Sequence, residues 1–300
     1  MVMMSCLLVN CGASAQAACS LVDRQTGKTF RIFNALLYSK LPDMGNLCIE
    51  KIYISYAWNY FPGGARYGDL SMPNKNNYDA AISKARKENT VTVIDIENWP
   101  IKNSTTTVVN QSVSNYLSIL KGMIAALPNK TIGYYGVVPI TDFKRAILGK
   151  DAYQYQEWVG ENNKVQPVAD LVRATFPSLY TIDPNHKRWR ERAKAQITEA
   201  RRLSPGKPVY PFIWPDYHEQ GGRYPVGAEV ETDYWRMQLE YLRKHADGIV
   251  LWGGNQQTFK VNMAWWRETV AFINNKFSVK IGAKATLESA TSSPKAQPRH

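Results

Sequence analysis

Histidine and cysteine are scarce in this chain, four of each in 300 residues, and none stand at the spacings that ligate a metal. His186, His218, His245 and His300 are isolated from one another and from every cysteine, which argues against a metal centre. No glycine-rich turn opens a helix with a following lysine or serine, so a phosphate-cradling loop is excluded too. Beyond the first residues, no apolar run approaches the roughly 20 residues that cross a bilayer. The chemistry left is chemistry that side chains perform without a cofactor.

What is abundant is aromatic and basic. Hydrophobic residues make up 44% and aromatics 12%, with nine tryptophans and seventeen tyrosines, enough for one large core and for flat stacking surfaces besides. The formal net charge is +12, which draws polyanions, whether nucleic acid, anionic lipid or acidic polysaccharide, without choosing among them. Arg188, Arg190, Arg192 and Lys194 alternate along a helical stretch and are expected on a solvated face.

Residues 1–17 carry no charged side chain, include the apolar run Met3 to Val9 and end in Ala15-Gln16-Ala17, the small-x-small pattern of a signal-peptide cleavage site. Export, to the periplasm or the exterior, is the expectation. Asn10 makes Cys11 a poor lipid anchor. Cleavage after Ala17 leaves Cys19 and Cys48, an even pair that an oxidising compartment joins in a disulfide unless both stay buried as thiols. Residues 18–280 are expected to form a single catalytic domain, monomeric, and residues 281–300, with no periodicity or large apolar side chains, a disordered tail.

Between these ends, short runs rich in Val, Ile and Tyr alternate with stretches of helical period, the signature of βα units around a parallel sheet. Candidate strands are Phe30 to Tyr38, Lys51 to Ala57, Thr90 to Glu97, Thr131 to Val137, Arg173 to Tyr180, Pro208 to Trp214 and Gly248 to Trp252. Helical stripes run through Tyr78, Ala81, Ile82 and Ala85, through Val113, Leu117, Leu120, Ile124 and Leu127, and through Trp235, Leu239 and Leu242, and Asn262-Met263-Ala264-Trp265-Trp266 begins a last helix. Seven successive units without a phosphate loop predict an α/β fold closed as a TIM-like (β/α) barrel of seven strands.

The sharpest local signal is Val91-Thr92-Val93-Ile94-Asp95-Ile96-Glu97, a buried strand that ends in two acids one residue apart. Residues two apart in a strand face the same way, so Asp95 and Glu97 project together at the C-terminal rim, where barrel active sites lie. Each charge raises the pKa of the other and burial raises both, which leaves one carboxyl able to donate a proton to a glycosidic oxygen. The alternative is a metal ligand or a structural ion pair with barrel lysines. Other strand ends supply aromatics to the same rim: Tyr135 in Gly133-Tyr134-Tyr135-Gly136, Trp214, Asp216 and Tyr217 after Pro211, and Trp252 in Leu251-Trp252-Gly253. With Trp99 these are the candidate substrate contacts, each weighed against plain core packing.

In this order the motifs resemble the hyaluronidase family of glycoside hydrolases. The resemblance runs with gaps from about Thr90 to Gly254 and takes in Phe176-Pro177-Ser178-Leu179-Tyr180, the Arg192 to Ala200 stretch and Pro208-Val209-Tyr210-Pro211. It implies a seven-stranded barrel, Glu97 as general acid and then base, Asp95 holding a substrate acetamido group, Tyr135 and Tyr217 around the reacting sugar, and Trp252 as an apolar wall. The nucleophile is then the acetamido oxygen of an N-acetylhexosamine, and configuration is retained. Two departures are visible: only 37 residues separate Glu97 from Tyr135, and Pro100 stands where animal enzymes carry an arginine, so one wall of the groove is expected to be missing. The expected partner is an acidic polysaccharide, not nucleic acid. Two other readings stay open, a glycosidase for another sugar that uses Asp216 or Glu219 as second carboxylate, and a barrel that binds polysaccharide without cleaving it.

Overall fold

The computed structural model describes residues 19–88, 91–218, 227–255 and 257–281. The expected leader, the tail after Ile281, His300 and Glu219 lie outside them. In chain order the strands are β1 (Cys19–Asp23), β2 (Thr29–Leu36), β3 (Ile49–Tyr56), β4 (Val91–Asp95), β5 (Ile132–Tyr134), β6 (Phe212–Ile213), β7 (Gly248–Gly253) and β8 (Phe277–Ile281). The helices are α1 (Ala57–Tyr60), α2 (Lys75–Lys87), α3 (Thr106–Ala126), α4 (Tyr153–Lys164), α5 (Gln166–Leu171), α6 (His186–Leu203), α7 (Thr232–His245) and α8 (Ala264–Lys276). Side-chain caps start three of the long ones: Asn74 accepts from Asn77 N–H, Thr105 from Val108 and Asn185 from Arg188.

Six strands pair in parallel in the order β5-β4-β3-β2-β7-β6. The gap between β5 and β6 is filled by residues 173–180, whose bridges are single: Tyr135 with Phe176, Thr175 with Val209 and Ser178 with Phe212. The expected strand Arg173 to Tyr180 is thus a stave without a regular ladder. Pro177 within it and Pro208 and Pro211 on its neighbour have no N–H to offer, although their carbonyls accept from Phe212, Thr175 and Val250. Counting it, seven staves circle the core of an α/β (β/α) barrel, as the alternation of elements predicts. The antiparallel pair β1 and β8, joined to the start of β2, has no counterpart in that expectation. Nor do α4 and α5, whose polar sequence hides a narrow buried stripe of Trp158, Asn162, Val168 and Ala169.

Alternation along each stave sorts its side chains. Ile94 and Ile96 of the β4 stave pack outward with α3 and Tyr134, whereas Val91 and Val93 pack inward with Phe33, Ile54, Phe176, Phe212 and Val250. These inward residues fill the lower barrel, so whatever continues the inward parity emerges on top of an apolar plug. A second correction concerns α6. Arg188, Arg190 and Lys194 are exposed, but Arg192 is 1% exposed, because helical spacing puts it on the buried stripe of Trp189, Ala193 and Gln196.

Cys19 and Cys48 form a disulfide with Cα atoms 5.4 Å apart, which ties β1 to the residue preceding β3 across 29 positions. Closing a loop of that length restricts the unfolded chain by about 3–4 kcal/mol. Replacing both cysteines by serine is therefore expected to lower the melting temperature by several degrees, and a melt of the parent protein in reductant should reproduce the loss.

Candidate active site

Asp95 ends β4 opposite Tyr56 of β3, and Glu97 follows two residues on, past the last ladder pair. Both continue the inward parity of Val91 and Val93, and both line the same cavity above the apolar plug. The turn that carries Glu97 is held from below by α3. The Tyr116 hydroxyl lies 3.2 Å from the Ile96 carbonyl and 3.0 Å from that of Trp99, and Tyr134 donates to the Tyr116 carbonyl at 2.8 Å.

Placing two acids in so confined a space shifts both. Burial, reinforced by the charge of Glu97, pushes the Asp95 carboxyl up from 3.8 to about 8. Glu97 also rises: it presents its carboxylate to solvent, but the walls around it strip water away, against the opposing pull of the Lys102 ammonium. The pair titrates as a unit and retains a proton through neutrality. Asp95, the deeper of the two, has the stronger hold on it.

Three adjoining cavities of 380, 330 and 310 Å³ meet at Glu97. Together they make a groove with the acids at its centre, in the size range of ligand sites. Tyr135 lines two of the three, with its hydroxyl donating to Ser178 Oγ at 3.0 Å; burial and the nearby Glu97 charge keep the phenol protonated. Trp252 forms a wall, its indole N–H 3.2 Å from the Tyr56 hydroxyl and its ring stacked on Tyr180 at 5.5 Å. Both side chains stand in the groove beside the acids.

The other expected contacts sit differently. Trp214 meets Trp252 edge-on at 5.0 Å and Tyr180 at 5.6 Å, and its N–H donates to Asp216 at 3.1 Å. Gly253, at φ 131°, makes room for this indole; a Cβ there would stand 2.4 Å from it. Asp216, raised by burial to about 6 with Glu229 nearby, thus orients Trp214, and neither residue lines the three cavities. Tyr217 has the opposite parity to Trp214. It turns out of the barrel into the packing beneath α6, α7 and α8, 3% exposed, and its hydroxyl donates to Glu231 at 2.6 Å. It is not brought to the acids. Trp99 is 2% exposed, and its N–H is taken by the Ser71 carbonyl at 3.1 Å, so its role in the groove floor is that of a peg.

The inward tyrosines of the groove are instead Tyr56 and Tyr180, which strand parity through Ile54 and through Phe176 and Ser178 marks in the sequence. Lys102 is the other unforeseen member. It lines two cavities beside Glu97, with its ammonium anchored on the Thr141 carbonyl at 2.8 Å, and supplies a cation on the side where Pro100 withholds one. Its place in an irregular loop leaves no periodic signal. Behind this wall the buried Arg192 donates to the Tyr180 carbonyl at 3.3 Å and lies over Phe143 at 5.4 Å, its pKa lowered by burial to about 10.

Neither a protein-family model nor a curated protein matches the sequence. Among solved structures the chain is similar to bee venom hyaluronidase in a monoclinic crystal form, with a TM-score of 0.58 and 15% identity over 82% of this chain and 98% of that one. It is similar also to bee venom hyaluronidase in complex with a hyaluronic acid tetramer, with a TM-score of 0.56 and 16% identity over 82% of this chain and 97% of that one. At such identity the likeness establishes a shared barrel fold.

A carboxyl whose folded pKa is raised binds its proton more tightly in the native state, so its contribution to stability is full below about pH 4 and is lost as pH rises towards 8. Asp95→Asn should therefore stabilise the protein at pH 8 and leave it unchanged at pH 4. Thermal melts of the two proteins across that range measure it.

Proposed function

We propose that this chain is an exported, endo-acting glycoside hydrolase that cleaves an N-acetylhexosamine-containing polysaccharide of acidic character, with retention of configuration and with the substrate's own acetamido group as nucleophile. The observation that carries the reading is the placement of Asp95 and Glu97 on one inward face, lining one cavity at the centre of an aromatic groove where burial raises both carboxyls. A nucleophile and an acid that flank a glycosidic bond come from separate strands on opposite sides of it. Two acids on one strand approach from the same side, which suits a reaction whose nucleophile the substrate brings.

In the resting site Asp95 has the better hold on the shared proton. An acetamide N–H donated to Asp95 favours its ionised form and moves the proton to Glu97, where the departing oxygen needs it. The acetamido carbonyl oxygen then attacks the anomeric carbon as the glycosidic C–O bond breaks, and Glu97 protonates the leaving oxygen. The positive charge that develops on the cyclised acetamido group lies next to ionised Asp95. In the second half Glu97 takes a proton from water, whose oxygen adds to the anomeric carbon and reopens the ring on the original face. Tyr135 borders the reacting sugar, and Trp252 with Tyr180 excludes water from its far side.

Lys102 in the groove and the +12 net charge favour an anionic chain. The Cys19–Cys48 disulfide favours an oxidising compartment, in line with the leader read at residues 1–17. Among the described residues no helix is long and apolar enough to cross a membrane. Asp216, the rival second carboxylate, is committed to the Trp214 indole.

Glu97→Gln should abolish turnover of N-acetylhexosamine polymers, by about a thousandfold or more in kcat, and leave saccharide binding measurable by calorimetry. A barrel that only binds would be indifferent in both assays. An analogue with hydroxyl in place of acetamido should be inert to the parent enzyme; its cleavage would move the nucleophile back to the protein. Lys102→Gln removes the cation that holds Glu97 down, so the alkaline limb of the kcat/KM profile should move to higher pH.

A further inference from the structure

Eight of the nine tryptophans are buried or half-buried; the ninth, Trp58, is 61% exposed. It lies on α1, directly after β3, in the wall of the 330 Å³ cavity that also contains Asp95 and Glu97. A second ring in the same wall, Tyr67, is 70% exposed. Large aromatic faces left in water are unfavourable by the area they expose, and their concentration beside the acids marks a surface that something covers.

The Trp58 ring and the backbone that carries Tyr67 are fixed in place. Trp58 stacks on Tyr56 with centroids 4.0 Å apart and planes 18° from parallel, and the Tyr56 hydroxyl accepts from Trp252 at 3.2 Å, so the exposed indole is the outer leaf of the groove's aromatic wall. The loop that carries Tyr67 is fastened to the residues next to Glu97. Gly68 N–H donates to the Asn98 carbonyl at 2.8 Å, Asn98 Nδ2 to the Asp69 carbonyl at 3.1 Å and Trp99 Nε1 to the Ser71 carbonyl at 3.1 Å. Asn115 on α3 adds a bond to the Leu70 carbonyl at 2.8 Å. Ordering of this kind removes the entropy that a flexible loop would lose on binding.

The occupant can be described by its chemistry. Ala57 and Ala65 line this cavity with the two rings, and apart from the two acids no charged side chain among the described residues lines it; the cation of the groove, Lys102, lines the other two, one of which Tyr67 also borders. Flat apolar rings without a cation suit the C–H face of an uncharged pyranose, with its hydroxyls at the rim. We propose that Trp58 and Tyr67 form a stacking subsite for an uncharged sugar ring next to the bond that is cut, and that the anionic sugar of the chain lies on the Lys102 side. The proposal rests on the assignment of Glu97 as the acid at the centre, and it makes the groove a track for the interior of a polymer.

Two measurements test it. The first compares kcat/KM of parent enzyme, Trp58→Ala and Trp58→Phe on long and short oligosaccharides of hyaluronan and of chitin. The advantage of long over short substrates should fall about tenfold in Trp58→Ala and be largely restored in Trp58→Phe. An unchanged length advantage, or an equal loss on long and short substrates, overturns the subsite. The second titrates the same oligosaccharides into Glu97→Gln and follows tryptophan fluorescence, where a saturable change much reduced in Glu97→Gln/Trp58→Phe, which keeps Trp252 in the groove, is expected. If the parent hydrolyses nothing and this Trp58-dependent signal persists, the catalytic assignment falls and the stacking subsite stands. If hydrolysis proceeds and the double variant gives the full signal, the subsite falls alone.

Discussion

The mutual crowding of Asp95 and Glu97 is the constraint around which the upper barrel is organised. Two acids lining one confined cavity are held only because everything beneath them is fixed: valines on the same face of β4 fill the barrel below, and Tyr116 clasps the carbonyls on either side of the turn. The energy stored in that juxtaposition comes from folding as a whole, since burial of the barrel core outweighs the cost of one raised carboxyl pair. A pair at lower dielectric expense, spread over two staves, would not share a proton so closely.

Around the acids, aromatic rings do two kinds of work. Trp252, Tyr180 and Tyr135 form the groove itself, while Trp214, Trp99 and Tyr217 have their polar atoms committed to Asp216, the Ser71 carbonyl and Glu231. The distinction lies in how each ring is placed, since Tyr135 and Trp252 also donate within the protein, to Ser178 and to Tyr56. Arg192 belongs to the framework too. It puts a guanidinium behind the Tyr180 backbone, where a neutral residue would leave a carbonyl without that donor.

Much of this was legible before the coordinates. The βα alternation, the seven staves and the shared face of Asp95 and Glu97 all follow from periods of 2 and 3.6, because burial on one side leaves that periodicity in any stave or helix. Parity carried further would have turned Tyr217 outward, since Phe212 and Trp214 already point in, and would have selected Tyr56 and Tyr180 instead. Charge was a poorer guide than period: Arg192 was expected in solvent with its neighbours, although its spacing from Trp189 and Gln196 places it inside. Residues with no periodic setting stayed hidden. Lys102 reaches Glu97 by a loop path, and residues 173–180 complete the barrel through isolated bridges between prolines, where the ladder that a strand pattern implies cannot form.

The antiparallel pair of β1 and β8 has an architectural consequence. Cys19 is registered directly against Ile281, so the first and last described strands meet side by side even though nearly the whole barrel separates them in sequence. A short peptide joining those two positions would make the polypeptide circular with little rearrangement, and new ends opened in an outer loop would leave the staves in their present order.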